Sequence, residues 1–486
     1  MGNTHIRSVL LAAASILAFF LTTVTPAWAH AFGIRYDLPL PLWLYLCGAG
    51  AAVALSFAIM ALFLRNQGEG IEEFHFDLLA LQLLGWLGGP VVLNVIRSLS
   101  LAIFALLLAA GLFGHQDPFK NIAPTFVWVV WWVGMAFIST LAGNLWDLVN
   151  PWKIMFTWMS KIWGKSADIH PYPVWLGRWP AVLLFLAFAW MELISNQAEQ
   201  PRKLASVIIV YSAITWAGMA YFGRDKWLKH GEVFAVVFGL LARFAVSHGR
   251  AGQWQIRLPA VGLLCRRPVH ISGVCFVLLL LTSVTFDGIL ETPLWAAILT
   301  WISESQVLRP ALLALQDAGA DLISVIKTVA LITLPALFIA VFVLTSKAIA
   351  WAGGGAVGTR EVAGYFVLSL VPIAIAYHLS HYLSYLLIAG QTIIPLLSDP
   401  FGMGWDLFGT TAYTVDIGIV NAKMIWYVAV TAIVVGHVLA VYIAHIMAAR
   451  VFESRTQALR SQIPMLILMV GYTMISLWIL SQPIVT

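Results

Sequence analysis

Apolar runs long enough to cross a bilayer dominate this chain. A membrane-spanning helix needs about 20 mostly apolar residues, because the hydrocarbon core is ~30 Å thick and a helix rises ~1.5 Å per residue. Ten segments meet that requirement: 40–64, 91–113, 124–147, 174–194, 204–222, 271–290, 325–350, 364–390, 424–448 and 464–482. The fold class expected from them is all-α, a polytopic transmembrane helical bundle. Composition agrees. Of 486 residues, 61% are hydrophobic and 10% charged, against about 45–50% and about 25% in soluble domains. Mean hydropathy is +0.89. A disordered chain has too little apolar surface to match this, and a soluble globule could not cover so much. Nucleic acid is not an expected partner, since the net charge is only +5 and the basic residues are scattered. Three cysteines, Cys47, Cys265 and Cys275, show no CxxC spacing and build no disulfide framework.

Residues 1–29 carry the parts of a secretory signal. Arg7 is basic, Ser8 to Val24 is apolar, and Ala27-Trp28-Ala29 is a small-x-small cleavage site. Residues 30–486 would then form a single transmembrane domain that begins at His30. An N-terminal histidine offers an amine and an imidazole, which could chelate copper. The simpler expectation is that the processing enzyme tolerates histidine after the cut.

Charge placement orients the spans, because loops on the cytoplasmic side collect Lys and Arg. With the mature N-terminus outside, Lys153, Lys161, Lys165, Arg224, Lys226 and Lys229 fall inside. Segment 231–247 is a possible eleventh span, but it is short and holds Glu232 and Arg243. If it crossed, Arg250, Arg257, Arg266 and Arg267 would lie outside, against the rule. Ten spans keep them inside, leave Glu291, Glu304, Asp317, Asp321, Asp399, Asp406 and Asp416 outside, and return Arg450, Arg455 and Arg460 inside. Segment 231–247 is thus expected to be an interfacial or re-entrant helix. Residues 152–163 mix Lys with Trp, Ile and Met and read as an interfacial amphipathic helix. The expected location is a bacterial inner membrane, multi-pass.

Ionisable groups inside a bilayer are costly, so each is a candidate site residue. His378 and His381 lie three apart on one helix face. His437 and His445 share a side of the next span, about 12 Å apart along its axis. His378, His381 and His437 are expected as metal ligands. Three imidazoles leave an open position for a divalent metal, zinc or copper. The competing expectation is that such histidines bond across helices and stiffen the bundle. Asp287, in Thr285-Phe286-Asp287-Gly288, is the candidate catalytic base, or a ligand, or a cap on the external loop. Glu192 ends another span and reads as an interfacial carboxylate. Arg97 suits either an anion or a buried carboxylate partner, with the pairing favoured. The loop 398–410 follows the histidine-bearing span and carries Asp399 and Asp406. It is dense in turn formers and aromatics, and would roof the outer mouth of the site or simply pack there.

Several of these stretches have a recognisable pattern. YHLSHYLSYLLIAGQ, then SDPFGMGWDLFGT, then GHVLAVYIAH, with TFDG before an external loop and HAFGIRYDLPLPLWLY after the signal, resemble a family of bacterial integral membrane proteins known as fenitrothion hydrolases. The resemblance runs over most of the chain and is clearest in its C-terminal third. It implies hydrolysis of an organophosphorus triester with release of an aryl alcohol. It supplies no catalytic residue assignment.

Three functions fit these residues. The first is a metal-dependent hydrolase whose partners are the lipid bilayer and an apolar small-molecule substrate. The second is a histidine-dependent metal or proton-coupled transporter. The third is a copper-linked redox or assembly protein, weakened by scarce Cys and the lack of a Met-rich run. The ten-span topology is tested by a cysteine placed beside Arg257. It should resist membrane-impermeant thiol reagents added outside, and ready labelling there would restore the eleventh span.

Overall fold

The structure, a computed structural model, describes residues 40–63, 76–81, 84–163, 170–250 and 252–482. The signal segment 1–29 and His30 lie outside the described residues. Ten helices are long and apolar enough to cross a membrane: α1 (Leu42–Phe63), α2 (Pro90–Phe113), α3 (Ile122–Leu141), α4 (Val174–Leu193), α5 (Pro201–Phe222), α6 (Ile271–Leu290), α7 (Leu322–Ala352), α8 (Thr359–Ser398), α9 (Ala422–Val451) and α10 (Arg455–Leu480). They coincide with the ten expected segments to within a few residues, except that α8 is longer at both ends, α10 begins nine residues earlier and α3 ends six residues earlier. Their alternation gives the bundle two chemically distinct ends. Connections 291–321 and 399–421 mark an acidic end. Connections 223–270 and 452–454, with the α9 and α10 termini they join, mark a basic end.

Most helix boundaries have a local cause. Asn421 bonds the amide of Lys423 and starts α9, and Ser454 with Gln457 forms a reciprocal capping box at the start of α10. Asp321 accepts the Ile323 amide and starts α7. Proline occupies an early position in α2, in α5 and in the regular helix Trp179–Leu193 within α4, where its missing N–H costs no helical bond.

Segment 231–247 does not cross. It contains a helix of 9 residues, Val233–Leu241, about 13 Å long at the helical rise. The helix is buried among α3, α4 and α8 rather than laid against lipid. Its charged neighbours explain why it holds. Glu232 is fully buried and accepts from the Phe234 and Ala235 amides, Asn150 Nδ2 and the Tyr211 hydroxyl. At the other end the Arg257 guanidinium donates to the Ala242, Arg243 and Ala245 carbonyls. An acid at the N-terminus and a cation at the C-terminus also complement the helix dipole. The expected interfacial helix is present as Pro151–Trp163, with Trp152 and Ile154 turned inward.

One element departs from the all-helical expectation. Strands β1 (Phe76–Asp77), β2 (Ser247–Arg250) and β3 (Gln253–Ile256) form a small antiparallel sheet in the order β1-β3-β2. Ser247 pairs with Ile256, and Gly252 turns the hairpin with a φ of +80°. So short a hairpin gains its stability from the bundle end it packs on, not from its own sequence pattern.

α6 and α8 form the centre. Within their most apolar windows 83% and 89% of residues are buried inside the protein, against 6% for α2, so these two helices face protein where α2 faces lipid. Between bilayer-embedded helices, tight packing replaces the hydrophobic drive, and small residues allow close approach. A Cβ on Gly436 of α9 would fall 2.5 Å from Ala376 Cβ and 2.8 Å from the Pro372 carbonyl of α8. Gly111 makes the same seam between α2 and α5, against Ala205 and the Pro201 carbonyl. Gly436→Leu should therefore lower the detergent-phase thermal midpoint, at a cost of about 1–3 kcal/mol or more for an overpacked contact. Gly471→Ala, where nothing lies within 4 Å, should leave it unchanged.

Candidate functional site

The site forms where α6 and α8 meet near the acidic end. Asp287 opens the last turn of α6, three residues before its end, and is preceded by Thr285 and Phe286, which are both buried. His381 and Tyr382 project from α8 toward it. His381 Nε2 lies 3.0 Å from Asp287 Oδ2, and the Tyr382 hydroxyl donates to the same oxygen at 2.7 Å. The two side chains of the acid–base pair are 22% and 14% exposed, so a narrow approach to solvent or lipid remains. A carboxylate can only accept, so Nε2 carries the hydrogen and Nδ1 is the basic nitrogen of His381.

Further charges surround the pair. Glu192 on α4, Glu291 just beyond α6 and Lys327 on α7 all interact electrostatically with Asp287. Burial pushes the Glu291 carboxyl above its ordinary range. The His381 charge opposes that rise and the Asp287 charge adds to it.

His378 occupies the other side of Tyr382, with ring centroids 4.7 Å apart. It is enclosed by Trp132 at 6.3 Å and Phe137 at 6.2 Å. Trp132 belongs to a π-helical stretch, Phe126–Val133, inside α3. Such stretches widen the turn and recur at functional sites. The surrounding wall is aromatic: Trp132 packs on Phe185, Phe188, Phe234 and Phe238.

The remaining candidates are placed as follows. His437 is fully buried, bonds the Ile433 carbonyl through Nδ1 at 2.8 Å, and faces Tyr472 across 6.1 Å between ring centroids. His445 bonds Gln462 at 2.9 Å and ties α9 to α10 near the basic end. Arg97 reaches Asn94 on its own helix at 3.4 Å, not the buried carboxylate that its pairing would require. Asp399 accepts the Met403 and Gly404 amides at 2.9 and 2.6 Å, and Asp406 accepts the Thr411 amide at 3.3 Å. Both acids therefore build the 398–410 loop. That loop is tied to the connection between α2 and α3 by Phe401 O to His115 N and Pro400 O to Ile122 N.

Of the expected residues, the structure brings together Asp287, His378 and His381. It keeps His437 with Tyr472, and it sets His445, Arg97, Asp399 and Asp406 apart. Among the described residues no group of three or more His, Cys, Asp or Glu side chains is arranged to hold a metal ion. Tyr382 was not singled out by sequence, although it adjoins His381 in the quoted motif. An aromatic hydroxyl mid-span beside a histidine is the signal that could have marked it. Comparison with protein-family models, with curated proteins and with solved structures found no match.

A double-mutant cycle checks whether the pair acts as a unit. Asp287→Asn and His381→Gln should each destabilise the detergent-solubilised protein. Their combined effect should fall short of the sum by a coupling of about 0.5–3 kcal/mol. Strict additivity of the thermal shifts would mean that the 3.0 Å contact carries no energy.

Proposed function

We propose that this membrane protein is a hydrolase of apolar esters, of the organophosphorus triester class, with Asp287 and His381 as its acid–base centre. The observation that carries the reading is the Asp287 carboxylate bonded to His381 Nε2 at 3.0 Å and to the Tyr382 hydroxyl. In this arrangement Asp287 orients the imidazole and stabilises the imidazolium that forms, as a buried carboxylate does for a general-base histidine. Nδ1 of His381 takes a proton from water. The hydroxide attacks phosphorus, the P–O bond to the aryl group breaks, and the imidazolium returns its proton to the departing aryl oxygen. The aromatic wall around His378 suits an aryl leaving group, and apolar triesters partition into a bilayer. The resemblance of the α6, α8 and α9 motifs to fenitrothion hydrolases points to the same class.

The test is hydrolysis of a chromogenic aryl triester by the purified protein in lipid nanodiscs. Wild type should release the aryl alcohol, and His381→Ala should lower kcat by about 10²–10⁴-fold, the usual contribution of a general base. Asp287→Asn should lower it as well. Elemental analysis of the same preparations covers the metal-dependent version through His378, His381 and His437. Bound zinc or copper that is lost in His378→Ala and His437→Ala would make a metal the water activator. If wild type releases no aryl alcohol, and the same two substitutions instead abolish cation uptake driven by a pH gradient in vesicles, transport replaces hydrolysis.

A further inference from the structure

A second polar cluster lies deeper in the bundle, between α6, α8, α9 and α10. Tyr377 of α8 is fully buried, and its hydroxyl is pressed against Gly288 of α6, where an added Cβ would sit 2.6 Å away. One turn further in, Thr285 Oγ1 lies 2.6 Å from the Tyr472 hydroxyl of α10. His437 of α9 faces the Tyr472 ring, and Ser476 stands one turn along α10 on the same side. Thr285 and Ser476 are each 1% exposed, and His437 is 0% exposed.

Three atoms of this cluster find no hydrogen-bond partner among the described residues: the Tyr377 hydroxyl, Ser476 Oγ and His437 Nε2. Nδ1 of His437 faces the Ile433 carbonyl, which can only accept. Nδ1 therefore carries the hydrogen, and Nε2 keeps a bare lone pair, buried and without a partner among the described residues. Buried polar atoms without partners are rare in proteins, and costlier still at membrane depth. Three in one place, next to hydroxyls that both donate and accept, are satisfied together by a few bridging waters. At its other end the cluster adjoins the acid pair: Tyr377 is four residues before His381, with ring centroids 6.2 Å apart, and its hydroxyl senses the Asp287 charge.

We propose that these groups and the waters between them form a hydrogen-bonded relay that connects the Asp287–His381 pair to His437 and exchanges protons between them. Each hydroxyl along it takes one proton and passes one on, so none changes its charge. His437 is the inner terminus. Beyond it toward the basic end, Ala440, Val441, Met465 and Met469 are buried and apolar and stand between His437 and the His445–Gln462 pair, so His437 is where the relay stops. The assignment does not depend on the hydrolytic reading, because neither of its measurements uses turnover.

Two measurements on the full chain in nanodiscs test it. Radiolytic footprinting in ¹⁸O-water labels side chains in contact with bound water. Tyr377 and Tyr472 should label at rates comparable to Tyr413, which is 39% exposed, while Met465, at 1% exposed, stays unlabelled although methionine is intrinsically the more reactive. Deuterium exchange at the imidazole C2 of His437, read by mass spectrometry, should proceed in wild type. It should be lost in Tyr377→Phe and in Tyr472→Phe, which keep the ring packing. His445, bonded to Gln462, should be unaffected by either change. Tyrosines as unreactive as Met465, or His437 exchange unchanged in both variants, would overturn the relay.

Discussion

In hydrocarbon, every polar group must find its partner inside the protein, and the whole arrangement of this chain follows from that demand. Helices satisfy the backbone, and the buried charged side chains are placed where partners are available. Glu232 collects four donors and becomes the start of a helix too short to cross. His445 is answered by Gln462. Asp287 is answered by His381 and Tyr382. Asp399 and Asp406, outside the apolar region, spend their acceptors on their own loop. The same residue types thus do different work according to what surrounds them. Glu232 can be read as structural because its donors are complete. The Asp287 pair differs in that one imidazole nitrogen, Nδ1 of His381, is left free to act.

The position of the pair follows from packing. α6 and α8 are the helices most enclosed by protein, and α8 approaches α9 closely because Gly436 leaves room for Ala376 and the Pro372 carbonyl. A side chain on such a helix is held by neighbours on most sides, so its rotamer is restricted before any substrate arrives. That is the preorganisation an acid–base centre needs. Asp287 also sits in the last turn of α6, within reach of Glu192, Glu291 and Lys327. A buried core position alone would have given rigidity without access, and a loop position would have given access without rigidity.

How much of this was readable in the chain depends on the range of the forces involved. The ten spans were legible because bilayer thickness imposes a length that composition reveals directly. The rejection of 231–247 as a span was legible because Glu232, Arg243 and the arginines after it are incompatible with crossing. The Tyr211 and Asn150 partners of Glu232 were not, since they lie 21 and 82 positions away, and the carbonyls that Arg257 meets are reached only once the intervening hairpin folds back. The β1-β3-β2 sheet was missed for a related reason: its strands are 2 to 4 residues long and carry no alternation of their own. Asp287 and His381 were both marked by their cost in a membrane, but their contact across 94 positions depends on how α6 and α8 pack. Helical spacing placed His378 and His381 on one face, yet it could not show that Tyr382 stands between His378 and the acid. Adjacency of the two spans groups His437 with them in sequence, whereas its ring turns toward α10 and Tyr472.

That divergence of the histidines changes what the site can do. A metal centre would need imidazole nitrogens aimed at one point. Here His381 Nε2 is engaged by Asp287, His378 stands among aromatic rings, and the His437 ring faces Tyr472. In the proposed relay their chemistry is that of protons passed between imidazoles and hydroxyls. An imidazole held by a carboxylate can accept a proton without creating an uncompensated charge, because Asp287 already lies against it. A second imidazole reached through hydroxyls then offers that proton somewhere to go without exposing it to lipid. The scarcity of charge in the chain, imposed by the bilayer, leaves neutral hydroxyl and imidazole groups as the natural carriers between the acidic end and the interior.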